Sequence, residues 1–201
     1  MSTLNHLKIS LNTTFVIIIS GMFRIIPLEN LIGKILSEND FTGISPTGKV
    51  SYSWGDNIEL NQWIKAKDKE ILGKRSFAVE NIGKYPLIWL VTPIEGITEG
   101  LNSQRFNGIK FIIASSSKTE YLNEFREKEI MPRLVGISEK FVEIIKSNKN
   151  TSIVKKDGVD SIKFRKIYNY NTGENKNETL DIWDAISLQF DLIINNNCLK
   201  F

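Results

Sequence analysis

Two rhythms of apolar positions organise the chain. Residues 28–38, LENLIGKILSE, carry Leu28, Leu31, Ile32, Ile35 and Leu36 at i, i+3, i+4, i+7 and i+8. That spacing predicts a short helix with one narrow apolar stripe, and Pro27 stands near its first turn. Residues 117–147 give the strongest helical signal, with Tyr121, Leu122, Phe125, Ile130, Leu134, Ile137, Phe141, Ile144 and Ile145 on its apolar face. Pro132 falls inside it and predicts two successive helices or a kink near Met131. The other rhythm is that of strands. YPLIWLVTP, 85–93, is a continuous apolar run, as expected of a central strand covered on both faces, and IKFIIA, 109–114, predicts an antiparallel partner. DSIKFRKIYNY, from Asp160, alternates around Ile162 and Phe164. DIWDAISLQFDLII, from Asp181, has period two, with Ile182, Ile186, Leu188, Phe190 and Leu192 on one face. Trp183, Ser187, Gln189 and Asp191 take the other face.

Between these elements the pattern is irregular. TGISPTGKVSYSWGDN is rich in turn residues, with VSYSW as a short strand. Residues 58–72 have unevenly spaced apolar positions and many lysines. The whole stretch of about 40–83 reads as an excursion outside the core, the kind of segment that serves binding. GITEGLNSQRFNG reads as a long connection, and NTGENKNE as a polar turn. The expected fold is α+β: an antiparallel sheet of four or slightly more strands, helices on one face, and long loops. Residues 1–26 form an N-terminal extension to a single domain spanning 27–201. Phe15–Ile19, FVIII, is far shorter than the roughly 20 apolar residues of a membrane span and reads as a strand or buried segment.

Charge and composition narrow the chemistry. The 201 residues carry a net charge of +3 with acids and lysines interspersed, too small an excess to imply nucleic-acid binding by itself. One cysteine, Cys198, and one histidine, His6, leave no internal disulfide and no Cys/His zinc site, and a single histidine near the end of the chain argues against a serine–histidine triad. No metal or cofactor is expected, and the chain does not read as an enzyme. The stretch from Ser115 to Thr119, between an apolar run and a helical one, has the outline of a phosphate loop. Ile112 and Ser117 stand where that motif needs glycine, so the expected role is architectural: Ser117 and Glu120 as a capping box, with Lys118 and Thr119 in the first turn. Asp184 falls on the apolar face of the last strand; buried there, it needs a partner such as an arginine, or a raised pKa. The alternative puts it at the strand's solvent end. Lys163, Arg165 and Lys166 beside Tyr168 and Tyr170, and the lysines after Trp63, would suit a single-stranded nucleic acid; edge-strand protection accounts for them equally well.

In its order of elements, helix, two strands, helix, two strands, the chain resembles the tail-terminator and head–tail joining proteins of tailed bacteriophages. PLENLIGKIL, YPLIWLVTP, FIIASSSKTEYLNEFREKEIMPRLVGISEKFVEII and LDIWDAISLQFDLIINNNCLK carry the resemblance over about two-thirds of the chain. It implies a homo-oligomeric ring, commonly hexameric or twelvefold, assembled in the host cytoplasm and seated in the virion beside portal, adaptor or tail-tube proteins. DNA would pass through the lumen without sequence-specific contacts, and no membrane is involved. Trp54, Trp63 and Phe106, expected in loops, are the candidates for burial between subunits, with covering their own core as the alternative.

Overall fold

The structure is a computed structural model that describes residues 27–73, 83–99, 103–171 and 181–195, with the side chains of 71–73 and 171 left out. The N-terminal extension, FVIII, His6, Cys198 and the polar turn at 172–180 lie outside the described residues. The protein is α+β, built on a mainly antiparallel seven-stranded sheet.

Helix α1 (Leu28–Ser37) buries all five residues of its predicted stripe. A turn-rich segment follows in which Phe41 enters the core, then β1 (Ser51–Gly55) and α2 (Asn57–Gly73). Strand β2 (Leu87–Val91) lies between β1, to which it is parallel, and β4 (Ser103–Ser116), to which it is antiparallel. Strand β9 (Ile182–Asn195) pairs with β4 along nearly its whole length. The other edge of β9 is shared by β5 (Thr151–Ile153) and β8 (Lys163–Asn171). The long helical segment resolves into α3 (Asn123–Phe125), a π-helical turn (Arg126–Ile130) and α4 (Met131–Ser147). Pro132 sits in the first turn of α4, where its missing N–H costs nothing. The predicted break therefore takes the form of a π turn.

Helices cover both faces of the sheet, not one. On the front, α1 and α4 enclose Ile88, Leu90, Phe111, Ile113, Ile186, Leu188 and Phe190. Phe111 packs edge-on against Phe141 of α4 at 4.8 Å between ring centroids. On the back, Leu60 and Ile64 of α2 close over Leu87, Trp89, Ala114, Trp183 and Ala185. The segment expected to be an excursion outside the core is thus part of it. The reason lies in β2: Leu87–Leu90 are buried in succession, so alternate residues face opposite ways and each side needs a cover. Trp183, expected on the polar face of β9, belongs to this second core.

Two connections hold more order than their composition suggests. The Gly- and Asn-containing segment before 109 contains β3 (Gly96–Glu99), which pairs with the start of β4. Strands β6 (Lys155–Lys156) and β7 (Val159–Asp160) form a small hairpin around Asp157 and Gly158. Both central residues have positive φ, 52° and 80°, the conformation a two-residue turn needs to match strand twist.

Candidate functional site

The polar residues of interest gather at the start of β9, where the sheet meets the 115–126 corner. Asp184 is fully buried and Arg126 is 2% exposed; Arg126 Nε lies 3.2 Å from Asp184 Oδ2. Ser117 Oγ donates to the same oxygen at 2.5 Å, and the backbone N–H of Asn169 donates to Oδ1 at 3.1 Å. The terminal nitrogens of Arg126 donate to the Lys118 carbonyl (2.7 Å), Asn169 Oδ1 (2.5 Å) and Asn123 Oδ1 (3.3 Å). The expected arginine partner for Asp184 is thus present, supplied by the π-helical turn. Asn169 takes a positive φ of 50° beside the bulge in β8, which turns its N–H and side chain into the pair.

The predicted capping box is not formed. Helix α3 begins at Asn123 with extended Leu122 at its N-cap and no side-chain cap. Ser117 lies well before it, its hydroxyl drawn to Asp184 because a buried carboxylate demands donors. Glu120 is exposed and receives only a 3.4 Å hydrogen bond from Thr119. Among the described residues a capping box forms instead at Asp56 and Glu59, heading α2. Asp56 Oδ1 accepts from the N–H groups of Ile58 and Glu59 at 2.8 and 2.9 Å, and Asp56 N donates to Glu59 Oε2 at 2.9 Å.

Ser115 and Ser116 border a cleft of about 220 Å³ with Tyr85, Pro86 and Arg133 on its walls. That is below the roughly 300–1,000 Å³ of ordinary small-molecule pockets. Lys118 and Thr119 point to solvent, and the Lys118 carbonyl is held by Arg126, so the corner's groups are engaged in joining sheet to helix.

A second polar group lies on the back of the same sheet end. Lys84, 2% exposed, bridges Asp68 of α2 (2.6 Å) and Asp181 (2.8 Å). Tyr85 donates its hydroxyl to Asp181 and accepts from the Trp183 indole N–H at 2.5 Å. Burial, then the Asp181 charge, pushes the Tyr85 hydroxyl far above the ordinary phenol value, so it stays a donor. These contacts pin α2, the 83–86 bend and β9 together. Lys84, Tyr85, Arg126 and Asn169 escaped sequence reasoning; burial of a Lys or Arg is set by partners remote in sequence. Among the described residues, no metal-binding group of His, Cys, Asp and Glu occurs, and no helix is long and apolar enough to cross a membrane.

The three aromatic interface candidates all lie on regular elements, and Trp54 and Trp63 stand on opposite faces of the sheet. Trp54 of β1 is 43% exposed and faces the front, with its ring 6.0 Å from that of Tyr52. Trp63 of α2 is half-buried on the back, edge-on to Trp89 at 6.3 Å. Phe106 of β4 is half-buried against its own hairpin, close enough to Gly96 that a Cβ there would lie 2.8 Å from the ring. Leu122 (75%) and Phe164 (49%), expected on apolar faces of their elements, are instead more exposed than Trp54, as is Ile58 (56%).

No protein-family model matches the chain, and comparison with curated proteins yields no match.

Proposed function

We propose that the chain is a ring-forming structural subunit of a tailed-phage virion, of the tail-terminator or head–tail joining kind. One observation supports this above the rest: a single sheet carries two unlike edges, each with exposed apolar side chains beside it. On one side, the short parallel strand β1 has no outer neighbour among the described residues, and Trp54 and Ile58 stand exposed there. On the other, the nine-residue β8 is likewise open, with Phe164 exposed beside an apolar groove between β8 and α4. Open, partly apolar strand edges favour association unless covered. Because the two edges differ, contact between them is heterologous, and heterologous contacts close into rings when the rotation permits. The resemblance in sequence to the phage proteins named above also supports this reading.

The ring, hexameric or twelvefold, would sit in the virion between portal or adaptor and tail-tube neighbours, with DNA crossing its lumen. The rigid two-faced core sets the angle between neighbours, and the edge residues supply the burial. The test is the mass of the purified full-length chain in solution across a micromolar concentration range, by light scattering and native mass spectrometry. A single closed oligomer is expected; a monomer throughout would reject the assignment.

A further inference from the structure

Sheet register divides the basic and aromatic residues of β8 between two faces. Lys166 and Tyr168 turn to the front, where both bind the Glu127 carboxylate. Lys163, Arg165 and Tyr170 turn to the back, opposite Gln189, Ser187 and Trp183 of β9. Gln189 in turn pairs with Lys110 of β4, so Lys163, Gln189 and Lys110 form one row across three strands. With strands about 4.8 Å apart and residues rising about 3.4 Å, Lys110 lies roughly 10 Å from Lys163, and Arg165 roughly 7 Å along β8.

Helix α2 covers only the Trp89–Trp183 end of this back face, leaving the row exposed. Among the described residues, Lys110, Lys163 and Arg165 form no ion pair, in contrast to Lys84, Lys140, Lys146 and Lys166. Asp191, on the same face of β9, is taken by Arg105 and the Gly108 N–H. Past Lys163 the surface opens into a cleft of about 350 Å³ that adds Lys155 and Lys156 to its walls. At the other end Tyr170, 41% exposed, lies 6.2 Å from the Trp183 ring.

We infer that this back face is a binding surface for single-stranded nucleic acid. Unpaired cations in a row hold a phosphate backbone, and an exposed ring farther along β8 offers a base a stacking partner. The surface lies on the covered-core scaffold of one subunit and does not depend on ring assembly. A single strand fits better than a duplex because Tyr170 can stack only on a base already freed from its pair.

The test is fluorescence anisotropy of the full-length chain with a labelled mixed-sequence deoxyoligonucleotide of about 15 nucleotides, near the upper range held by one small domain. Binding that weakens with salt is expected. K110Q/K163Q/R165Q should bind at least tenfold more weakly and lower the log–log salt slope by about 2, three contacts at roughly 0.7 each. Tyr170→Leu, which keeps apolar cover over Trp183, should weaken binding about tenfold with the slope unchanged. Lys140→Gln on the front face should change nothing. Circular dichroism of each variant separates loss of binding from loss of fold. Equal affinity for duplex, or undiminished binding by the folded triple variant, would overturn the inference; so would failure of the wild-type chain to bind at low salt.

Discussion

Arg126 and Asp184 meet in the protein interior, Nε to Oδ2 at 3.2 Å, and join the π-helical turn to the first residues of the last strand. Ser117 and the Asn169 N–H complete the carboxylate's shell. Removing either charge leaves the other buried and uncompensated. Arg126→Ala and Asp184→Ala are each expected to lower stability by about 3–5 kcal/mol in urea unfolding. The double variant Arg126→Ala/Asp184→Ala should lose clearly less than the two single losses combined; simple additivity would show that the pair is not coupled.

Tyr85 occupies a similar position on the back face, between the Trp183 indole and Asp181. Tyr85→Phe leaves a buried N–H without its acceptor and is expected to cost about 1–3 kcal/mol. Its hydroxyl is raised in the folded chain, chiefly by burial, whereas the unfolded phenol ionises near pH 10. A raised folded value means the contribution is fully present below pH about 10 and is lost as pH climbs above it. The gap in stability between wild type and Tyr85→Phe should therefore narrow above pH 10. Tyr52, raised by burial and by Glu29, should behave alike, and absorbance titration should find both phenols un-ionised until unfolding.

The formed and the unformed capping patterns provide a direct contrast. Asp56→Ala removes the acceptor for two N–H groups of α2 and is expected to cost about 1 kcal/mol in a thermal melt. Glu120→Ala, on an exposed turn ahead of α3, should leave stability within about 0.5 kcal/mol. Equal losses at both positions would contradict the observed hydrogen bonding.

Trp54 and Trp63 should respond oppositely to truncation. Trp54→Ala is expected to abolish or weaken the oligomer, read as mass in solution, while leaving the urea midpoint of the subunit nearly unchanged. Trp63→Ala removes a ring packed edge-on to Trp89 and should lower stability by about 1–3 kcal/mol. If Trp63→Ala proved neutral for folding and damaging for assembly, the roles would be reversed.

Much of the architecture is legible in residue order. The stripe of α1, the buried run of β2, the break at Pro132 and the need for a partner at Asp184 are local signals, since periodicity and burial of a carboxylate impose them wherever the chain goes. Even so, the apolar run Leu87–Leu90 already demanded cover on two sides, and Asp56–Glu59 and Asp157–Gly158 carried their cap and turn in plain sequence. The Ser117–Glu120 pattern matched a capping box as well as Asp56–Glu59 does, and only the long-range pull of Asp184 separates them. In the same way β8 reads as one basic, aromatic strip. Its register with β9, with a bulge between Ile167 and Tyr170, divides it into a front pair held by Glu127 and an open back row. Periodicity sets which residues share a face. Which face stays uncovered, and which donor a buried charge captures, depends on groups brought together from distant parts of the chain, and that is decided only when the sheet closes.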